Sequence, residues 1–348
     1  MSAATLVLGG GGIRSSRKLS LVELGILVAA TALVSLGLFA ITPLQGRADF
    51  LVFTLALYAV VQTAASFVVE GRRQALDRLM TLGVRLALLL ALVPLVAVAV
   101  FVVVRGVKGI SLDFLSHSMA GIGPNDLGGG AYHAIVGTLE QVAIASVIAV
   151  PLGLLTSIYV TEYGRGKLST AIRFVMDVMT GVPSVVTGLF VFAFWVIVFG
   201  PSGFAASLAL AILMLPVVMR SAEEMIRLVP DDLREASYAL GIPKWKTILS
   251  IVLPTASAGI TTGVMLAVAR VTGETAPVLL TAQLTDSINN SPFTGKQSGL
   301  GAYIFQQAGS SAANHENRAY AAALTLIVIV LALYVGARLL TRRNSLVN

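Results

Sequence analysis

Eight long apolar windows, each close to the length that crosses a bilayer as a helix, limit this chain to a membrane fold. They fall at about residues 21–42, 50–69, 83–104, 134–160, 171–199, 203–219, 250–280 and 320–340. About 20 apolar residues in helical form span the hydrocarbon core. The fold class is therefore an all-α integral membrane protein of about eight transmembrane helices. Charge is scarce in the same sense: 12% of residues are charged, against roughly 25% in a soluble domain. The first window follows Arg14, Arg17 and Lys18 in the manner of a signal peptide. It is too long for one, and Ala40-Ile-Thr-Pro offers no small-residue cleavage site, so it reads as a retained anchor.

The net charge of +7 does not point to nucleic acid, because the basic residues sit at the ends of apolar windows rather than on one stripe. A cytoplasmic N-terminus places Arg72, Arg73, Arg78, Arg165, Lys167, Arg173, Arg220, Arg227, Arg234, Lys244, Lys246, Arg338, Arg342 and Arg343 inside. Only Arg47, Arg105, Lys108, Lys296 and Arg318 then fall outside, which is the bias the positive-inside rule requires. Both termini are expected in the cytoplasm. There is no cysteine, and His117, His133 and His315 are scattered through polar loops, so neither thiolate chemistry nor a metal site is expected.

The chain divides into a flexible tail at 1–20, a transmembrane hairpin with a basic linker at 21–80, and a core at 81–348 that carries the motifs. Gly9 to Gly12 has no preceding strand and no phosphate-loop continuation, and Gly164-Arg-Gly-Lys167 and Gly295-Lys296 also fail that pattern. The chain cannot hydrolyse ATP itself and is not read as an enzyme. The loops at about 105–133 and 281–319 have turn compositions and are expected to be solvated.

Within the loop 220–249, Pro230 stands where a helix would begin and Asp231 and Asp232 fall in its first turn. Gly241 lies where a left-handed stop is wanted, with Pro243 just beyond. The spacing predicts a short capped helix outside the bilayer. Ala236, Ser237 and Ala239 leave its backbone approachable, and Leu233 and Leu240 offer anchors for a groove in a partner. Glu235-Ala236-Ser237, then Gly241, then Ile251 and Leu253-Pro254 resembles the loop signature of ABC importer permeases, with Ser237 in place of the usual second alanine. The resemblance implies a six-helix permease core after the hairpin. It also implies that Glu235 to Gly241 is a coupling helix inserted into an ATP-hydrolysing subunit.

Two further places carry polarity at membrane depth. Arg270 lies deep in the seventh window, where an isolated charge costs at least about 2.5 kcal/mol, and Glu274 stands four residues later, on one helix face and within pairing reach. Thr272, Gly273, Thr275 and Pro277 supply hydroxyls and an interruption around the pair. Broken helices at this depth line cavities, so Arg270 is read as lining an anion path, with Glu274 holding or releasing it. The same argument applies to Thr180, Gly181, Pro183, Ser184 and Thr187 in the fifth window, where Asp177 reads as a structural partner or gate.

Gly181-Val-Pro-Ser184, Gly188-Leu-Phe190 and Arg270-Val-Thr-Gly-Glu-Thr-Ala-Pro277 narrow the resemblance to the PstA family of phosphate-importer permeases. It covers about residues 83 to 341 and implies a prokaryotic cell (inner or plasma) membrane. The partners it implies are a sister permease resembling PstC, an ATPase dimer resembling PstB that uses ATP and magnesium, and a phosphate-binding protein resembling PstS. It also implies phosphate passage at Arg270 and Glu274. From the residues alone, another oxyanion such as phosphonate, sulfate or molybdate stays open. So does a membrane enzyme acting on lipid phosphates through Arg270 and Glu274, although no nucleophile accompanies them.

Overall fold

The computed structural model describes residues 20–41, 46–123, 126, 128–310 and 315–345; the glycine-rich stretch at 9–12 lies outside them. The described residues are helical throughout apart from turns and loops, and they form two compact units that divide between Val98 and Ala99.

In the first unit, α1 (Leu21–Ile41) and α2 (Arg47–Val69) pack as the expected hairpin. The hydroxyls inside α1 are absorbed by its own backbone: Thr31 donates to the Leu27 carbonyl at 2.6 Å and Ser35 to that of Thr31 at 2.7 Å. Past Gly71, at φ 92°, the chain enters α3 (Arg72–Gly109). The basic stretch expected as a linker at 71–80 is thus helical from Arg72 onward. Buried Glu70 closes this corner by accepting from Ser66 at 2.6 Å and from Arg78 at 2.6 Å.

The second unit continues with α4 (Leu112–Ser116), α5 (Tyr132–Ile158), α6 (Lys167–Thr180), α7 (Ser184–Val191), α8 (Ile197–Phe199) and α9 (Gly203–Arg227). It ends with α10 (Asp231–Ala239), α11 (Lys244–Thr247), α12 (Leu253–Thr272), α13 (Ala276–Thr281), α14 (Leu300–Ala308) and α15 (His315–Ser345). Wider π turns extend α5 through Tyr159–Tyr163, join α7 to α8 through Phe192–Val196, and join α11 to α12 through Ile248–Val252. The core forms around α9. Its Ala205, Ala206, Ala209 and Ala211 are small enough for close backbone approach, and Leu210, Met214 and Val218 fill the remaining space against Val142, Ala145 and Ala149 of α5 and Ala267, Val268 and Val271 of α12. Small residues at the seam are what helix association in lipid calls for, because apolar side chains gain little by leaving hydrocarbon.

Among the described residues, six helices are long and apolar enough to cross a membrane: Asp49–Val69, Arg72–Gly109, Tyr132–Tyr163, Gly203–Arg227, Lys244–Thr272 and His315–Leu339. The first window contributes a shorter apolar stretch, Gly25–Leu38. The fifth, expected as one span, is two helices, Lys167–Thr180 and Ser184–Phe199, bent by 105°. Pro183 lacks a donor and pushes Val182 out of the helical region, so the helix cannot run through Gly181-Val-Pro. The seventh window is likewise shortened, because α12 stops at Thr272 and α13 restarts only at Ala276.

The segment 281–299 departs furthest from expectation. Part of it is solvated, but its end is buried: Gln297 and Ser298 are each 1% exposed. Phe204 N donates to the Pro292 carbonyl at 2.6 Å, Gln297 N to that of Ala282 at 3.1 Å, and Leu300 N to the Thr138 hydroxyl at 2.7 Å. Gly137 of α5 permits this approach, since a Cβ there would lie 2.2 Å from the Ser298 carbonyl oxygen. Gly137→Ala is expected to impose about 1–3 kcal/mol of overpacking, read as a lower thermal midpoint of the purified protein. An unchanged midpoint would mean that the 281–299 backbone yields freely.

Candidate functional site

Helix α10 forms where local chemistry places it. Pro230 precedes it, Asp231 and Asp232 occupy its first turn, and Gly241 takes φ 74° just after it. Gly241 N bonds to the Tyr238 carbonyl at 2.9 Å and Ile242 N to that of Ser237 at 3.2 Å, the two bonds of a Schellman stop. Glu235, Ala236, Ala239 and Leu240 are exposed, Leu240 at 80% and Leu233 at 41%. At 100° per residue Glu235, Ala236 and Ala239 point away from Arg234 and Ser237, which face the protein, and Leu233 and Leu240 flank that inward face.

Ser237 was expected among the approachable positions, and the structure corrects this. It is 2% exposed, and its hydroxyl bonds to that of Thr247 at 2.8 Å, tying α10 to α11. The residue that anchors the helix is Arg234, which the sequence reading counted only as a topological charge. It meets Glu162 in the π turn at 3.0 Å, the Ile226 carbonyl at 2.9 Å, the Val229 carbonyl at 2.6 Å and Asp231 at 3.0 Å. Lys244 reinforces the same corner by donating to the Glu162 carbonyl and lying over the Tyr163 ring at 5.0 Å.

A second charged node ties α6 to α9. Glu223, nearly fully buried, faces Arg173 at 2.9 Å, Arg220 at 3.5 Å and Arg227. Asp177 pairs with Arg220 at 3.0 Å, which gives it the structural partner expected of it. The lateral helix α6 is thus held to the core beside the 105° bend.

At the interruption of the seventh window, Arg270 occupies the last turn of α12, where a cation complements the helix C-terminus. Its side chain is exposed, and among the described residues it makes no ion pair or side-chain hydrogen bond. The helix ends at Thr272, with Gly273 as its cap, so Arg270 and Glu274 do not share a helix face and the expected pairing is not made. Glu274 is half-buried and lines a cavity of about 10 Å³ with Thr138, Gln141, Thr272 and Gly301, about enough for one water. Thr272 is buried and donates to the Val268 carbonyl at 2.6 Å; Thr275 is half-buried just before α13. Thr180 is exposed and donates to the Met176 carbonyl at 2.9 Å, and Ser184 is half-buried at the start of α7. The two breaks meet through α7 and α13, where a Cβ on Gly188 would lie 2.8 Å from Pro277 Cα. No hydrogen bond or ion pair among the described residues joins Thr180 or Ser184 to Arg270 or Glu274.

Beside this cavity runs a polar chain that the sequence reading passed over. Gln297 donates to Glu140 at 2.6 Å, and Gln141 donates to Gln297 Oε1 at 3.2 Å. The available signal was Glu140-Gln141 itself, a carboxylate and an amide inside an apolar window.

Residues 149–345, more than half of the chain, match the family of binding-protein-dependent transport system inner membrane components. The chain belongs to this family. As a member of it, the chain is a multi-pass inner-membrane component of a transport system, and the matched region contains α10 and both breaks. The phosphate transport system permease protein PstA 1 of Mycobacterium tuberculosis (strain ATCC 25618 / H37Rv) is 47% identical over 263 residues, 74% of this chain and 85% of that one. The PstA permease protein of Yersinia pestis is 40% identical over 245 residues, 70% of this chain and 82% of its own length. Among solved structures, an inward-facing MetNI methionine ABC transporter chain is 20% identical, with a TM-score of 0.48 over 62% of this chain and 94% of that one.

Proposed function

We propose that this chain is the permease subunit of an ATP-driven importer of inorganic phosphate. The observation that carries the reading is the pairing of a rigidly anchored, outward-facing helix, α10, with an arginine at a helix break that has no carboxylate of its own, Arg270. The names of the PstA relatives support phosphate as the substrate.

In this reading α10 lies on the cytoplasmic side, with both termini, and docks through Glu235, Ala236, Leu233 and Leu240 into a groove of an ATPase dimer resembling PstB. ATP and magnesium are used there and not in this chain. A sister permease resembling PstC completes the path, and a phosphate-binding protein resembling PstS delivers from the other side. Arg270 meets the oxyanion with its charge and the planar N–H donors of its guanidinium. Glu274, Thr275, Ser184 and Thr180 line the way, and Thr272 holds the end of α12. The Arg234–Glu162 pair transmits motion of α10 to α5 and α9, so nucleotide-driven closure reaches the break from below.

ATP-dependent uptake of labelled phosphate into proteoliposomes carrying the co-purified complex tests this, with sulfate, molybdate and phosphonate as competitors. Phosphate-selective uptake is expected. Equal competition by the other oxyanions would retain the importer and discard its substrate.

A further inference from the structure

The end of the second unit far from α10 contains a site that the transport reading does not use. Helix α5 and its π turn, about 48 Å long at 1.5 Å per residue, separate the two ends. Glu162 holds Arg234 at one end, while at the other Ala131 and Tyr132 bond to the Phe114 and His117 carbonyls. Here a cavity of about 180 Å³ opens between Gly109, Ser111, Phe114, Gly128, Gly129 and Arg318. Gly109 ends one apolar helix long enough to span a membrane, and Arg318 lies in the first turn of another, His315–Leu339.

Arg318 is the unusual member. It is only 6% exposed, yet among the described residues no carboxylate lies within ion-pairing distance of it. Its Nη2 donates to the backbone carbonyl of Asp126 at 2.6 Å, and its Nη1 has no acceptor among the described residues. Two nearby acids are turned elsewhere, since Glu316 faces Arg105 at 3.9 Å and the Asp126 carboxylate accepts from Gly123 N at 2.8 Å, and Asp286, whose charge reaches Tyr303 along with that of Arg318, makes no ion pair with Arg318 among the described residues. A buried guanidinium without a counter-charge is expensive, whereas planar N–H donors match an oxyanion well.

The cavity walls favour the same charge. The amides of Gly128 and Gly129, at φ 98° and 75°, donate to no protein acceptor among the described residues. The Ser111 hydroxyl accepts from Phe114 N and keeps its own proton to give.

We propose that this cavity binds a phosphate-type oxyanion, which supplies the missing counter-charge of Arg318. The oxyanion comes either from a lipid headgroup or from free phosphate. The site does not depend on which substrate is transported.

The test uses the purified complex, stripped of lipid, with two additions monitored by thermal midpoint. One is inorganic phosphate against chloride at equal ionic strength; the other is phosphatidylglycerol against diacylglycerol, which lacks the phosphate. At about 100-fold excess over Kd a bound ligand raises the midpoint measurably. The wild type is expected to respond in at least one phosphate-bearing arm, and Arg318→Gln is expected to lose the share of that response that remains in Arg270→Gln, which removes the transport charge. A response to phosphatidylglycerol alone identifies the lipid source, and one to inorganic phosphate alone the free ion. Ser111→Asp retains the cap of α4 while bringing a carboxylate to the cavity. It is expected to raise the midpoint without ligand and abolish the response. A wild type that responds to neither phosphate compound, or an Arg318→Gln that responds like wild type, overturns the proposal. If Arg318→Gln does not fold, a full response in Ser111→Asp overturns it instead.

Discussion

Arg270→Gln is expected to reduce ATP-driven phosphate uptake by about 100-fold or more, with the complex still assembled. The residue is exposed at the last turn of α12, and among the described residues no carboxylate neutralises it, so its charge remains available to a passing anion. A charge-assisted contact of about 2.7 kcal/mol at the barrier corresponds to that factor in rate. Glutamine keeps hydrogen-bonding capacity and approximate length, which separates the loss of charge from the loss of packing. Arg270→Lys is expected to retain part of the uptake, since a point charge remains while the planar fork is lost. Uptake in proteoliposomes and the stoichiometry of the co-purified complex are the two readouts. Normal uptake in Arg270→Gln would reduce Arg270 to a charge that merely favours the helix end.

Arg234→Ala is expected to uncouple ATP hydrolysis from uptake and to destabilise the purified complex. The substitution leaves Glu162 buried without its partner and frees the carbonyls of Ile226 and Val229. Breaking such a buried pair costs about 3–5 kcal/mol. Most of that loss falls at the joint between α10, the end of α9 and the π turn after α5. ATPase activity of the reconstituted complex should persist while uptake per ATP falls by at least about tenfold, the factor set by 1.4 kcal/mol of lost coupling. Glu162→Gln keeps the shape of the partner and is expected to give a milder form of the same defect. If Arg234→Ala lowers the thermal midpoint while uptake per ATP stays unchanged, the joint is structural and does not transmit motion.

The importance of Arg234 shows where reading along the chain stops. Pro230, Asp231, Asp232 and Gly241 act on their own backbone or on the adjacent turn, and α10 with its Schellman stop appears where they place it. The apolar windows are legible for the same reason, since transfer to hydrocarbon is nearly additive along a contiguous helix. The break at Gly181-Val-Pro is also local and was expected. Its 105° bend was not, because direction after a break is chosen by what the next helix packs against, here the contact of Gly188 with Pro277.

The pairing of Arg270 with Glu274 failed on a related point: i,i+4 neighbours face each other only while the helix continues, and α12 ends between them at Thr272. Ser237 looked approachable because small side chains expose backbone, but which side of a nine-residue helix turns inward depends on distant partners. Thr247, and Glu162 acting through Arg234, settle that question for α10. The segment 281–299 has a loop composition and still sends Gln297 into the core, because Gln141 and Glu140, over 150 residues earlier in the chain, offer it buried partners. Local signals thus suffice for α10 with its cap and for the positions of the long apolar helices, since each depends on residues within one or two turns, whereas α14, in a stretch of loop composition, forms where packing places it. Tertiary structure decided which charges are paired and which remain free, because that depends on close packing that brings residues 72 and 156 positions apart into contact.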